Sequence, residues 1–370
     1  MKVLAFGTYD TTTHPRFGVL LEGLRAHGDE VVEVNRPLGL GTARRVAMLA
    51  QAWRVPALLA RVLLRWIALA REGRRVYRAE RPDVVLVGYL GHLDVRLARW
   101  LFRGTPIVLD HLIFAADTAR DRGVRRGWKT WLLGCLDRAA LRAADVIVLD
   151  TPEHAAMVPK ELADRALVVP VGAPTPWFES RAQPAGGPMR VVFFGLFTPL
   201  QGAPTIGRAL RELADWEDIE FTMIGSGQDL SSTRVAAAVN KQVTWYDWVD
   251  SADLPAIVGS HHICLGIFGT GPKALRVVPN KVYQGAAAGC AVITSDTRPQ
   301  RSMLGEAALY VPAGDAEALA TVLRRLADDP VELAALRKKA AERAATGFTP
   351  EVIVKGLREH ITALKQGSTA

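Results

Sequence analysis

Short apolar runs rich in β-branched residues return along the chain, separated by longer stretches with the spacing of amphipathic helices. KVLAF at 2, EVVEV at 30, DVVLVG at 83, PIVLD at 106, DVIVLD at 145 and ALVVPVG at 166 form a first series. RVVFFG at 190, IEFTMIG at 219, QVTWYDWV at 242, HICLGIF at 262, CAVITSD at 290 and AALYVP at 307 form a second. Strands alternating with helices predict an α/β protein with two parallel, doubly wound sheets. Between the series, Ala173 to Pro188 holds four prolines and two adjacent glycines with little periodicity, as a linker does. The pattern predicts a Rossmann-like domain over 1–173, a linker over 174–188, a second Rossmann-like domain over 189–348 and a last helix over 349–370 that packs back on the first domain. Two such domains facing across a cleft place ligands at the carboxyl ends of their strands.

Length supports this division, since 370 residues exceed one ordinary core and suit two. The three cysteines, Cys135, Cys264 and Cys290, are odd in number and far apart, without a disulfide framework or zinc spacing, which fits a reducing cytoplasm. The apolar stretch after Lys2 is too short for a secretory signal. Met48 to Ala70 is broken by Arg54, Arg61 and Arg65, so it does not read as a membrane span. Net charge is +8 and uneven: residues 1–180 hold 26 Lys/Arg against 19 Asp/Glu. Residues 42–82 hold ten arginines and two glutamates among apolar residues such as Trp53, Leu63, Leu64, Trp66 and Ile67. This basic amphipathic segment suits an anionic membrane surface or a phosphate-bearing acceptor; the plain alternative is a solvated helix face. No nucleic-acid motif accompanies the charge.

The segment from Gly266 to Asp296 concentrates the candidate chemistry. It reads as a strand ending at Phe268, a glycine-containing loop, Asn280 as the cap of a short helix to Ala288, and Gly289 as its stop. Such a helix start offers free N–H groups to an anion. Lys273, Arg276 and Lys281 add three cationic side chains, a clamp for a diphosphate without a metal; the plain alternative is a surface loop.

With that segment, FFGLFTPLQG, MIGSGQ, VTWYDWVDSADLPAIVGSHHICLGIF, QGAAAGCAVITSD, VVPVGAPTPWF and FTPEVIVKGLREHI resemble, in order and spacing, the family 4 retaining glycosyltransferases of the GT-B class. The resemblance implies a GT-B fold and transfer of a sugar from a nucleoside-diphosphate donor to a hydroxyl of a lipid-linked, polysaccharide or natural-product acceptor. No further cofactor and no metal are implied. Two donor-holding glutamates of the family are replaced here by Arg276 and Gln284, and two cations of the loop opening the second domain by Leu196 and Gln201. Lys273, Arg276 and Lys281 then read as a relocated clamp, with Gly18 beside it, as in a bacterial subgroup. Gln284, Gly225, Trp248, Val249 and Asn280 are left for the nucleoside.

The first domain is expected to face the acceptor with His14 and Arg16 after the first strand, His92 and Asp94 after the third, and Asp117 and Arg122 after the fourth. The resemblance puts Asp110 and His111 against the reacting sugar, with Lys273 stabilising the leaving group. Asp110 or Asp117 as general base implies inversion instead. A GT-B sugar-nucleotide epimerase and a non-catalytic, membrane-associated nucleotide-sugar-binding protein share the same fold. A cytoplasmic protein, peripheral on the inner membrane face if the basic segment binds lipid, completes the expectation.

Overall fold

The computed structural model describes residues 1–39, 55–181 and 186–367. Residues 42–54 of the basic segment, 182–185 of the linker and 368–370 of the last helix lie outside the described residues. Contacts divide the chain into two compact units, one of Met1–Asp117, Arg125–Val169 and Ile353–Ala370, the other of Thr118–Val124 and Pro170–Val352.

In the first unit β1 (Lys2–Gly7), β2 (Glu30–Asn35), β3 (Val84–Val87), β4 (Ile107–Asp110), β5 (Val146–Leu149) and β6 (Ala166–Val168) form one parallel sheet ordered β2-β1-β3-β4-β5-β6. Every residue of β3, β4 and β5 is buried, because helices cover both faces, and this makes their sequences unbroken apolar runs. Alternate residues face opposite ways. Leu4, Phe6, Val85, Val87 and Leu109 meet Leu69 of α2 (Val55–Glu80), Val95 and Ala98 of α3 (Asp94–Leu101), and Ala140 and Leu141 of α4 (Trp128–Ala143). On the other face Val3, Ala5, Leu86 and Val148 meet Phe17, Leu20 and Leu24 of α1 (Arg16–Ala26).

In the second unit β7 (Met189–Phe194), β8 (Ile219–Ile224), β9 (Val243–Tyr246), β10 (Ile263–Leu265), β11 (Ala291–Ser295) and β12 (Ala308–Val311) form a parallel sheet ordered β12-β11-β10-β7-β8-β9. One core joins it to α5 (Ala203–Glu212) and α7 (Ala316–Asp328) through Ile206, Leu210, Leu319 and Leu323. Two further helices matter here, α6 (Asn280–Ala287) and α8 (Pro330–Gly347), which pack on each other. The last helix, α9 (Pro350–Gly367), returns to the first unit, where Val354, Leu357 and Ile361 join the α1 face and Arg358 pairs with Asp29 at 2.9 Å.

Three local expectations are corrected. β10 ends at Leu265, not Phe268, because the Ile267 N–H donates to the Thr294 hydroxyl at 3.2 Å and leaves the ladder. Asn280 is the first helical residue; Pro279 holds the cap position with extended backbone and no side-chain cap bond forms. Within the expected linker, Thr175–Glu179 is helical, and Trp177 stacks on Phe194 with ring centres 5.5 Å apart, so this stretch belongs to the second unit's packing.

Candidate functional site

The second sheet reverses its strand order at β7. The chain runs outward through β8 and β9, then returns to lay β10 on the other edge of β7. In an open parallel sheet this switch point, at the carboxyl ends of the strands, is where loops diverge and leave room for a ligand. Gly195 follows β7 and Gly225 follows β8, and their N–H groups donate to Ile224 and Tyr246 carbonyls at 2.9 and 2.8 Å. Gly225 has a φ of +125°, and a Cβ there would lie 2.0 Å from the Gly195 carbonyl oxygen, so only glycine lets the two turns pass.

Lys281 reaches this place from the first turn of α6. Its Nζ stands 3.6 Å from the centre of the Phe193 ring, and a Cβ on Gly195 would lie 3.4 Å from it. The side chain is 4% exposed and its ammonium has no hydrogen-bond partner among the described residues. Burial pushes its pKa down to about 7, opposed by the Cys264 thiol. A buried cation held only by a ring face is costly until an anion arrives. Its position is fixed from behind: Gly285 lies so close to β10 that a Cβ would fall 2.5 Å from the Cys264 side chain. Gln284, one turn after Lys281, is also buried.

The other expected donor residues are placed differently. Lys273 donates to the Thr118 hydroxyl at 2.8 Å, within the second unit's 118–124 segment. Arg276 ends a short 3-10 turn, Ala274–Arg276, and is half-buried. Trp248 is 75% exposed beyond β9, with Val249 half-buried beside it. Of the three expected cations, Lys281 is the one the structure sets over the end of β7.

In the first unit, several expected acceptor residues turn out to be internal supports. Arg16 and Asp110 are both buried and paired, Nε to Oδ1 at 2.8 Å, and Arg16 also donates to the Val169 carbonyl at 2.8 Å. Burial raises the Asp110 carboxyl against the opposing pull of Arg16. This pair ties α1 to the ends of β4 and β6, so neither residue is presented to an acceptor or a reacting sugar. Asp94 accepts from the Thr8 N–H and hydroxyl, both at 2.8 Å, and from the Trp66 indole at 2.9 Å; it braces the loop after β1. Gly18 lies beside Thr11 at ordinary contact distance for a Cβ, 3.5 Å, so its place imposes no need for glycine.

His92 pairs with Asp137 at 3.0 Å, and Asp137 also accepts from the N–H groups of Ala115 and Ala116 at 2.8 and 3.1 Å. The buried His111 ring lies 5.0 Å from that of His92 and 4.7 Å from Phe114, and burial lowers its pKa to about 3, so it is neutral. His92, His111 and Asp137 offer metal-type donor atoms within 4.8 Å of one another; Asp137 already accepts three hydrogen bonds, while the buried His111 Nε2 has no hydrogen-bond partner among the described residues. Sequence reasoning missed Asp137. Its signal was a carboxylate three and four residues before the buried Ala140 and Leu141, on the packed face of α4. The His14 ring lies tilted against that of Tyr89, centres 4.1 Å apart; Asp117 and Arg122 are half-buried.

Residues 188–329 match the family model described as Glycosyl transferases group 1, a stretch that contains Gly195, Gly225 and Lys281. Sucrose-phosphate synthase from Thermosynechococcus elongatus aligns over 100% of both chains with a TM-score of 0.72 and 15% identity. The chain has the GT-B fold. An α,α-trehalose-phosphate synthase (UDP-forming) from Burkholderia vietnamiensis aligns over 100% of this chain and 98% of its own, TM-score 0.67, 13% identity. HepE from Anabaena, solved in complex with UDP and glucose, aligns over 98% and 99%, TM-score 0.66, 12% identity. No curated protein matches the chain. In this GT-B chain the Lys281 site lies at the strand switch of the second Rossmann-like sheet, inside the matched stretch.

Proposed function

We propose that the protein is a glycosyltransferase of the hexosyltransferase type that takes its sugar from a nucleoside diphosphate held at the β7–β10 switch point. The observation that carries this reading is the buried ammonium of Lys281 at that point, which has no hydrogen-bond partner among the described residues. The bond between the anomeric carbon and the diphosphate oxygen breaks with its electron pair passing to the diphosphate. Fixed positive charge and N–H groups at the start of α6 stabilise that developing charge without reorganising. The acceptor hydroxyl bonds to the anomeric carbon, and its proton passes to the leaving phosphate, which retains the anomeric configuration. In this reading Lys281 neutralises the diphosphate in the place of a metal, Lys273 and Arg276 assist from the preceding loop, and Gln284 faces the ribose. Uridine is the first base to test, because HepE was solved with UDP and the trehalose-phosphate synthase is UDP-forming. The acceptor is a saccharide, lipid-linked or natural-product hydroxyl.

Calorimetry with a panel of nucleoside diphosphates tests the reading. Lys281→Met, which keeps the volume and removes the charge, is expected to weaken the best binder by about 1–3 kcal/mol, the value of a charge-assisted bond. Undiminished affinity in a folded Lys281→Met protein overturns the assignment. Slow hydrolysis of the matching nucleotide-sugar without acceptor, recorded in parallel, separates an enzyme from a binding protein.

A further inference from the structure

α2, α3 and α4 form one layer over the first sheet, α2 packing on α3 and α3 on α4. α2 has 26 residues, so it is about 39 Å long, whereas β1, at six residues, spans about 20 Å. Among the described residues its contacts with the core come from Trp66, Leu69, Val76 and Tyr77, none of them before its twelfth residue. The described residues before Trp66 overhang the sheet, with Pro56, Ala60, Arg61, Leu63, Leu64 and Arg65 exposed. α4 behaves alike: its buried residues are Asp137, Ala140 and Leu141, and its first two turns stand clear. Because a crossover helix runs antiparallel to the strands it links, both overhangs lie at the carboxyl-end edge of the sheet.

The overhangs expose large apolar side chains. Trp128 is 71% exposed and Trp131 66% on α4, with Leu132 exposed next to them in the chain; Leu64 is 68% exposed on α2, with Leu63 and Ile67, and Leu93 is exposed at the start of α3. Isolated apolar residues on a surface mean little, but a contiguous set marks a binding face. The charge around them has one sign. From Val55 to Arg71 and from Arg125 to Leu136 there is no acidic residue, while Arg61, Arg65, Arg71, Arg125, Arg126 and Lys129 are exposed. Farther along the same helix Arg74 and Arg75 continue the basic surface, Arg74 over the exposed Trp100 ring at 4.7 Å.

We propose that the outer face of α2, α3 and α4 docks on an anionic lipid bilayer, with Trp128, Trp131 and Leu132 entering the interfacial layer and the arginines at headgroup level. Tryptophan favours that layer because its ring is apolar and its N–H stays wet. Arginine and lysine gain there from the negative surface potential. A second copy of this face is disfavoured, since a two-fold contact sets arginine against arginine. Among the described residues no helix is long and apolar enough to cross a membrane, so the chain lies on the bilayer through this face.

The test uses the full chain with phosphatidylcholine vesicles and with vesicles containing 30 mol% phosphatidylglycerol. Co-flotation is expected with the anionic vesicles, weakened by raised salt. Tryptophan emission is expected to be quenched by brominated acyl chains. Trp128→Ser/Trp131→Ser is expected to lower vesicle affinity at least tenfold and to abolish the quenching, with its thermal transition unchanged because both rings are exposed. Leu63→Ser/Leu64→Ser gives a second, independent loss. No flotation with anionic vesicles overturns the proposal, as do wild-type affinity in both double variants and a dimer by sedimentation equilibrium that the tryptophan substitutions dissociate.

Discussion

At the scale of single residues, protonation of Lys281 is the property most open to measurement. Its pKa of about 7 lies below the ordinary 10.5, so between those values the unfolded chain holds a proton that the folded chain does not. Stability contributed by this group therefore rises with pH across that window, and Lys281→Met is expected to remove that part of the slope in denaturant titrations from pH 7 to 10. Anion binding reverses the preference, because a diphosphate favours the charged amine. Nucleoside diphosphate affinity is expected to be greatest below pH 7 and to fall as pH rises above it, with proton uptake seen as a buffer-dependent binding enthalpy. An affinity that is flat from pH 7 to 9 removes Lys281 from the anion site. The Arg16–Asp110 pair makes a second residue-scale prediction. Asp110→Asn removes the counter-charge of a buried guanidinium and is expected to cost about 3–5 kcal/mol of stability in urea unfolding, whereas Arg16→Met/Asp110→Leu, which removes both charges, is expected to cost less than the sum of the single losses.

Among the elements, α6 shows how packing fixes a functional group. Gly285 lets the helix lie against Cys264, and that contact sets the height at which Lys281 meets the end of β7. Gly285→Ala is expected to destabilise the second unit by about 1–3 kcal/mol through overpacking, and Gly285→Ala/Cys264→Ala to regain only part of it, because the sulfur goes but the Cys264 Cβ, also 2.5 Å from the new methyl, stays. Thermal unfolding of the two variants decides the point. The central strands, such as β3, β4 and β11, were legible as apolar runs because both their faces are covered, so burial leaves no polar alternation in them. Their ends were less legible. Ile267 and Phe268 are as buried as β10, yet a side-chain hydroxyl, that of Thr294, takes the place of a ladder partner, and no apolar pattern records that exchange.

For the whole molecule, the final helix matters more than its position at the end of the chain suggests. Val354, Leu357 and Ile361 complete the first unit's core on the α1 side, and Lys365 pairs with Asp83 at 2.7 Å. Leu357→Ala is expected to cost about 2–5 kcal/mol, the range for emptying a buried leucine site, and to lower the thermal transition of the unit that contains residues 1–117. An unchanged transition means that α9 is not part of that core.

What the sequence determined by itself was the alternation of twelve strands with helices, Gly225 in the turn after a strand and Lys281 at the start of a helix, because burial and turn chemistry act over a few residues and leave a local pattern. Which polar residues are available to a ligand was decided only by tertiary structure. Asp110, Arg16 and Asp94 follow strands as cleft residues do, yet each is engaged by a partner at least 28 positions away in the chain. Lys281 looked like one cation of three, and became the one at the strand switch because β10 pairs with β7 between residues 72 positions apart in the chain. Such pairings are set by the free energy of the packed core as a whole, and no stretch of sequence contains them alone.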